Sequence, residues 1–451
     1  MLCKKCVHCG LCEGDGNFKA NKTLLVSTQS KSVFCGSSKF SAADIGIAVD
    51  VGTTTIAAKA FNLQNGKELF SCGEQNLQVK FGSDVISRIN FSLTENSFLE
   101  LCACLKNQIE KIISYLMKNV SSFYLSQRIS YSLKMPELKK IVIAGNTCME
   151  SFAAGFKVES LAQFPFKIPS DFGFERKAQD FFQTEYILPE TKIFFAPVIS
   201  AFVGGDTVCA ILSSFNFDLP NLQFLLDVGT NCEMAVFDKK SASLVCTSSS
   251  AGPAFEGQGI EKGSSAVDGA ISKVFCDKEK QKFICSTVGE KSASSICGTG
   301  LISAINVFLE NNLISSEGTI LNGQNKIFLT EKIYLSQNDI RNFQLAKSAV
   351  KTGLNFLSEN FAQSDLENSI LYLAGGFGTK IDEFDAINTK MFPDFFKGKI
   401  VHCGNAALSG ASLLFDEKYY LQAQKIIENS KSINLAAENN FQNKFIENID
   451  F

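Results

Sequence analysis

Ile45–Ala58 reads IGIAVDVGTTTIAA: Ile45, Ile47 and Val49 form an apolar run that carries Asp50 into Val51-Gly52-Thr53-Thr54-Thr55 and leaves through Ile56. A short apolar, β-branched run that ends at a glycine has the pattern of a buried strand and its turn. The device returns at Phe224–Val236, FLLDVGTNCEMAV, where Phe224, Leu225 and Leu226 deliver Asp227 into Val228-Gly229-Thr230-Asn231. An acidic group beside a Gly turn with backbone N–H groups and hydroxyls can hold a Mg²⁺–phosphate. Two copies facing each other are expected to hold one nucleotide.

Further strand–turn–helix devices surround these two. Lys140–Thr147 is a buried strand ending at Gly145 and Asn146, with a helix opening near Met149. Phe194–Ala210, FFAPVISAFVGGDTVCA, runs into Gly204-Gly205-Asp206-Thr207 at another helix start. Asp206 there either orders a water or metal or caps the helix. Ser295–Leu301 brings Gly298 and Gly300 to a helix start, where a phosphate or ribose can approach. Ile370–Lys380, ILYLAGGFGTK, ends a strand in Gly375-Gly376-Phe377-Gly378, leaving room for a flat ring and sugar. Asp84 and Arg88 read as a helix-start charge and an i,i+4 pair. A helix is expected over Phe98–Val120, burying Leu101, Leu105, Ile109, Ile112 and Ile113, and a second over Asp339–Phe361. The devices fall into two comparable series, 45–215 and 222–415, the pattern of a duplicated α/β domain.

The first twelve residues, MLCKKCVHCGLC, set Cys3, Cys6, Cys9 and Cys12 at C-x2-C-x2-C-x2-C spacing. The nearest template is the bacterial ferredoxin run C-x2-C-x2-C-x3-C-P, from which the last interval is one residue short and Glu13 stands in place of Pro. A continuous thiolate run points to an iron–sulfur cluster, four-iron rather than two-iron, with Cys12 or the more distant Cys35 as fourth ligand. Tetrahedral zinc is the alternative. The other cysteines, such as Cys102, Cys104, Cys209, Cys246 and Cys285, sit in apolar contexts and read as small buried residues.

Composition bounds the rest. The chain has 451 residues, 45% hydrophobic and 20% charged, with a net charge of −3, so nothing in its balance favours nucleic acid or an anionic membrane. No apolar run has the length of a membrane span and the N-terminus lacks a signal core, which predicts a cytoplasmic protein with reduced thiols. The expected organisation is a cysteine-rich segment and tether over 1–44, one lobe over 45–215, a second over 216–420 and a tail over 421–451.

With these motifs in order, the turns at Asp50–Thr55 and Asp227–Asn231 and the strand end at Gly375–Gly378 resemble the phosphate-1, phosphate-2 and adenosine motifs of the acetate kinase, sugar kinase, heat-shock chaperone and actin (ASKHA) superfamily. The strings NLQVKFGSDVISRI, IAGNTCME, FVGGDT, SSSAGPAFEGQGI, ICGTGLI, LAGGFGTKID and CGNAALSGA are similar to one branch, the ATP-dependent reductive activators of corrinoid proteins. The resemblance implies a duplicated ribonuclease-H-like, two-lobed ATPase that uses ATP and Mg²⁺ to pass an electron to cobalt(II) of a corrinoid protein, restoring cobalt(I). It implies Asp50 and Asp227 toward Mg²⁺, Asp206 toward the attacking water, and Thr53, Thr54, Thr230 and Asn231 on phosphate oxygens. Gly52, Thr55, Gly145, Asn146, Gly229, Gly298 and Gly300 complete the cradle, and Gly375–Gly378 seats adenosine. Its partners would be the corrinoid protein and a low-potential electron donor, with a homodimer left open. Where relatives carry a plant-type ferredoxin domain or C-terminal cluster modules, this sequence has the compact cysteine run. A small-molecule kinase of the superfamily, or an ATP-driven switch with structural zinc, are the rival readings.

Overall fold

The computed structural model describes residues 34–126, 135–277, 279, 282–321 and 323–451. The run Cys3, Cys6, Cys9 and Cys12 and most of the tether lie outside the described residues. The chain divides into two bodies. One holds residues 34–215 together with Asn405–Ser432, the other Asn216–Gly404 together with Ile433–Phe451.

In the first body, β1 (Asp44–Val51) and β2 (Thr55–Asn62) form the hairpin that carries the first Asp-Val-Gly-Thr. The Asn65-Gly66 turn, with Gly66 at φ +72°, leads into β3 (Glu68–Gln75). Parallel to β1 runs β4 (Glu137–Gly145); beyond it come β5 (Glu175–Lys177) and β6 (Lys192–Phe195). The sheet order is β3–β2–β1–β4–β6–β5. Helices α1 (Val85–Phe91), α2 (Glu95–Ser126), α3 (Thr147–Ala154) and α4 (Gly205–Ser214) accompany it. The expected stripe of α2 is buried against Ile45, Ile47, Val49, Ile141 and Ile143. The helix runs beyond the Phe98–Val120 read from its periodicity, and the added residues at both ends are exposed or half-buried.

The second body repeats the plan. Antiparallel β7 (Gln223–Val228), β8 (Asn231–Asp238) and β9 (Ser243–Ser250) follow one another. A small sheet, β10 (Ala270–Asp277), β11 (Lys282–Thr287) and β12 (Ser295–Ile296), precedes α5 (Gly298–Glu310). A two-stranded ribbon, β13 (Lys326–Phe328) and β14 (Tyr334–Ser336), leads through a Ser336–Asp339 capping box into α6 (Gln337–Ser358). After α7 (Gln363–Leu366), β15 (Ile370–Ala374) lies parallel to β7, and past α8 (Glu383–Asn388), β16 (Ile400–Gly404) lies parallel to β15. The main sheet reads β16–β15–β7–β8–β9–β17. Its series β9–β8–β7–β15–β16 matches β3–β2–β1–β4–β6 strand for strand.

Two helices that follow the second series in sequence belong to the first body: α9 (Ala406–Leu413) and α10 (Lys418–Glu428). A Cβ on Gly410 would fall 1.8 Å from the Cys209 carbonyl oxygen, so glycine is what lets α9 lie on α4. Phe415 packs edge-on against Phe34 and Phe61, and Tyr420 stacks on Phe194 at 4.0 Å. These contacts draw 405–420 away from the lobe in which the sequence reading puts them. The chain ends with β17 (Ser430–Ile433) and α11 (Phe441–Glu447). No described helix is long and apolar enough to cross a membrane.

Candidate functional site: two Asp-Gly turns

The first turn hangs from the β1–β2 hairpin, closed by Gly52 N–H donating to the Thr55 carbonyl at 2.9 Å. Asp50 accepts at Oδ2 from Asn405 Nδ2, 2.8 Å away, and Asn405 in turn caps α9 by accepting from Leu408 N–H. Gly145 ends β4 beside Val51, where any Cβ would fall 2.6 Å from the Val51 carbonyl oxygen. Asn146 caps α3 through Met149 N–H and donates from Nδ2 to Thr53 Oγ1 at 3.0 Å. Gly204, which caps α4, meets Gly145–Thr147 so closely that a Cβ would lie 2.5 Å from the Asn146 Cα. Asp50, Thr53, Gly145, Asn146 and Asp206 are thereby brought to one corner of the first body.

That corner is acidic. Loss of solvent pushes the Asp50 carboxyl up to about 7, the Asn405 hydrogen bond opposes this, and the nearby Asp206 adds to it. Asp206, in the first turn of α4 and bonded to Thr207 N–H, is also raised, mainly by burial. Gly204 is the helix cap, so Asp206 is not. A third carboxylate joins them. Glu150 on α3 is fully buried, among the described residues neither of its oxygens has a hydrogen-bond partner at normal distance, and it lies against Gly205. Its carboxyl is raised well above the ordinary range by burial, then by Asp206, with a smaller push from Asp50 and a partial offset from the Gly145 backbone. Three acids that hinder one another's ionisation in a buried corner are a cation-seeking arrangement.

The second turn is built differently. Gly229 N–H donates to the Asn231 carbonyl at 3.1 Å and Gly252 N–H to the Thr230 carbonyl at 3.1 Å. Thr230 Oγ1 donates to Glu256 Oε1 at 2.7 Å, and burial raises the Glu256 carboxyl against that bond. Gly375, at φ +86°, leaves the room that Asp227 occupies, since a Cβ there would sit 2.4 Å from Asp227 Oδ1. Asp227, Gly229, Thr230, Asn231, Gly375 and Gly376 gather at the ends of β7 and β15. Gly298 and Gly300, at the start of α5, are tightly packed: Cβ atoms on them would meet the Phe255 and Ile271 carbonyl oxygens, each at 2.0 Å. Phe377 is buried and stacked on Phe255 at 5.5 Å, and Gly378 begins a short turn of helix beside it.

Oxygen donors beside glycine turns with N–H groups fit Mg²⁺ and phosphate. Among the described residues no three His, Cys, Asp or Glu side chains form a ready-made metal cage. Cys35 is exposed, while Cys102, Cys209 and Cys246 are buried and Cys104 and Cys285 partly so. Burial pushes the Cys102 and Cys246 thiols up to about 12, the state of inert core thiols.

Comparison with known proteins covers both halves. Residues 45–216 match the model of the RACo middle region, and residues 221–451 match the model of the C-terminal domain of RACo, the ASKHA domain. The corrinoid activation enzyme RamQ of Eubacterium limosum is 28% identical over 399 residues, 82% of this chain and 63% of its own length. The [Co(II) methylated amine-specific corrinoid protein] reductase of Methanosarcina barkeri is 25% identical over 86% of this chain and 72% of its own. The chain thus spans less than two thirds of RamQ. A solved reductive activator for corrinoid, iron–sulfur protein superposes with a TM-score of 0.77 at 27% identity, covering 91% of this chain and 67% of that one. The duplicated ASKHA architecture expected from the two Asp-Gly turns is the one observed, and the chain belongs to the RACo family.

Proposed function

We propose that this chain is an ATP-hydrolysing reductive activase, which passes one electron from a low-potential donor to cobalt(II) of a corrinoid protein and so restores cobalt(I). The observation that carries the reading is the pair of strand-end Asp-Gly turns, in a chain whose two halves match the RACo regions in order. The named activities of RamQ, the Methanosarcina reductase and the solved activator support the choice of acceptor.

Asp50 and Asp227 serve Mg²⁺, directly or through water, and Asp206 orients the water that attacks the terminal phosphate. Thr53, Thr54, Thr230 and Asn231 hydrogen-bond phosphate oxygens through side-chain or backbone N–H groups, and Gly375 and Gly376 border the adenosine. Bound at Cys3, Cys6, Cys9 and Cys12, a four-iron cluster would supply a one-electron carrier. Each 59 mV of uphill transfer needs about 1.4 kcal/mol, so ATP hydrolysis covers a substantial gap in potential.

The test is single-turnover reduction of a cobalt(II) corrinoid protein by anaerobic chain, with and without ATP, for wild type and Asp227→Ala. Reduction that needs ATP and fails in the variant supports the reading; full reduction by the variant without ATP turnover overturns the coupling. Iron analysis and the ultraviolet–visible spectrum, repeated on Cys6→Ser, decide between an iron–sulfur cluster and zinc.

A further inference from the structure

The first turn is held from behind by a side chain that the proposed reaction does not use. Arg88 on α1 is fully buried, and among the described residues no carboxylate lies within ion-pair distance of it. Asp84 caps α1 instead, accepting from Ser87 N–H. The guanidinium turns inward. Nη2 donates to the Thr53 carbonyl at 2.6 Å and Nε to the Gly82 carbonyl at 2.9 Å, while Nη1 meets Gln78 Oε1 at 3.4 Å and Met149 Sδ at 3.2 Å. Burying a cation without a carboxylate is expensive, so the carbonyls it serves are well fixed. Burial lowers its pKa to about 10, which leaves it charged at neutral pH.

The neighbouring carbonyls are pinned as well. Gly52 O accepts from Asn76 Nδ2 at 2.9 Å, Thr54 O from Asn76 N–H at 2.8 Å, and Thr55 O from Gly52 N–H at 2.9 Å. Four successive carbonyls are thus taken up by protein donors. Among the described residues, no protein acceptor meets the N–H groups of Thr53 or Thr54. In a trans peptide the C=O of one residue and the N–H of the next point in opposite directions. Pinning Gly52 O and Thr53 O therefore aims the N–H groups of Thr53 and Thr54 to the other side, as in an anion-binding nest.

We propose that Arg88 is a positioning residue for the first phosphate turn, fixing the Thr54 N–H toward a bound phosphate through the Thr53 carbonyl and setting a buried positive charge behind it. This rests on the reading that ATP phosphates bind at that turn. Arginine suits the task because its rigid planar fork holds two separated donors, Nε and Nη2, on two carbonyls, whereas lysine offers one compact ammonium on a flexible stem.

The experiment is calorimetric binding of MgATP and of adenosine to the full chain, for wild type, Arg88→Met and Arg88→Lys, with melting temperatures alongside. Arg88→Met is expected to weaken MgATP by about tenfold and leave adenosine within about twofold, with Arg88→Lys in between. Equal weakening of both ligands, or unchanged MgATP affinity, overturns the positioning role, because a merely structural arginine has no reason to distinguish them. Should Arg88→Met not fold, Arg88→Lys decides: a selective loss of about threefold supports the proposal, and wild-type affinity overturns it. Wild-type chain that binds no MgATP defeats the nucleotide reading itself, a result distinct from wild-type binding with indifferent variants.

Discussion

Asp50-Val51-Gly52-Thr53 and Asp227-Val228-Gly229-Thr230 are spelled alike, yet the two turns are different objects. In the first, Val51 pairs with Ile56, leaving residues 52–55 to make the reversal. In the second, Val228 pairs with Cys232, leaving only residues 229–231. The wider turn has one more residue outside the hairpin ladder and is braced from outside, by Asn76 and Arg88. The tighter turn is closed by its own strand and by the Thr230–Glu256 bond. Its Asp227 rests on glycine, whereas Asp50 shares a buried corner with two other acids. Duplication kept the strand order and let each turn specialise, one as an acidic, preorganised corner and the other as a compact clasp.

The harshest way to break the clasp is Gly375→Ala. Its φ of +86° strains any side chain, and the new Cβ would collide with Asp227 Oδ1 at 2.4 Å and Val228 O at 2.9 Å. A destabilisation of about 2–3 kcal/mol is expected in denaturant unfolding, with MgATP binding lost in the folded fraction. Next in size is Glu150→Gln, which sharpens the acidic corner. Among the described residues Glu150 loses at most a weak contact with the Gly145 backbone, so the folded chain should be little changed in stability at neutral pH. Mn²⁺ affinity in the presence of ATP, followed by electron paramagnetic resonance, should fall by about tenfold. Unchanged Mn²⁺ affinity would remove Glu150 from the cation site.

Much of this was legible before any coordinates. Apolar runs ending in Asp-Gly located both hairpins, because a buried strand must spend its turn on residues that tolerate tight geometry. The stripe of α2 was equally plain, since Leu101, Leu105, Ile109 and Ile113 recur at helical spacing. What the sequence hid depends on distance along the chain. Asn405 lies 355 residues from the Asp50 carboxylate it bonds, and no local pattern links them. Nor does the sequence say how tightly Gly298 and Gly300 are packed, with Cβ atoms on them 2.0 Å from the Phe255 and Ile271 carbonyl oxygens. Glu150 had a faint signal, a lone acid amid CMESFAAG, whose neighbours are nearly all buried. Arg88 reads as an i,i+4 partner of Asp84, and that spacing says nothing about which way a long side chain turns.

The acidic corner should also respond to pH more than the clasp does. Asp50 is raised from 3.8 to about 7, so between those values the folded chain keeps a proton that the unfolded chain has released. The associated stability is complete below about pH 4 and is lost as pH rises through 7. Asp206 and Glu150 are shifted in the same direction, so the contribution of Asp50 is the difference between wild type and Asp50→Asn. Without nucleotide, the wild-type melting temperature should fall by roughly 3 °C more than that of the variant between about pH 5 and pH 8. Parallel pH profiles would show that Asp50 is better hydrated than its surroundings imply.

The smallest effect separates the two glycines that the sequence treats as equivalent. A Cβ on Gly229 meets nothing nearer than the Asn231 carbonyl oxygen at 3.2 Å, a contact that a shift of a few tenths of an ångström relieves. A Cβ on Gly52 would lie 2.7 Å from the Thr55 carbonyl oxygen, the acceptor of the hydrogen bond that closes the turn. Neither glycine has a positive φ, so conformational strain does not enter and the contacts alone decide. Gly229→Ala is expected to change unfolding free energy by less than about 0.5 kcal/mol, while Gly52→Ala costs about 1–2 kcal/mol. Urea denaturation of the two single variants checks this. Equal costs would mean that the wider turn adapts as readily as the tighter one, and that the external brace on the first turn is not what holds its shape.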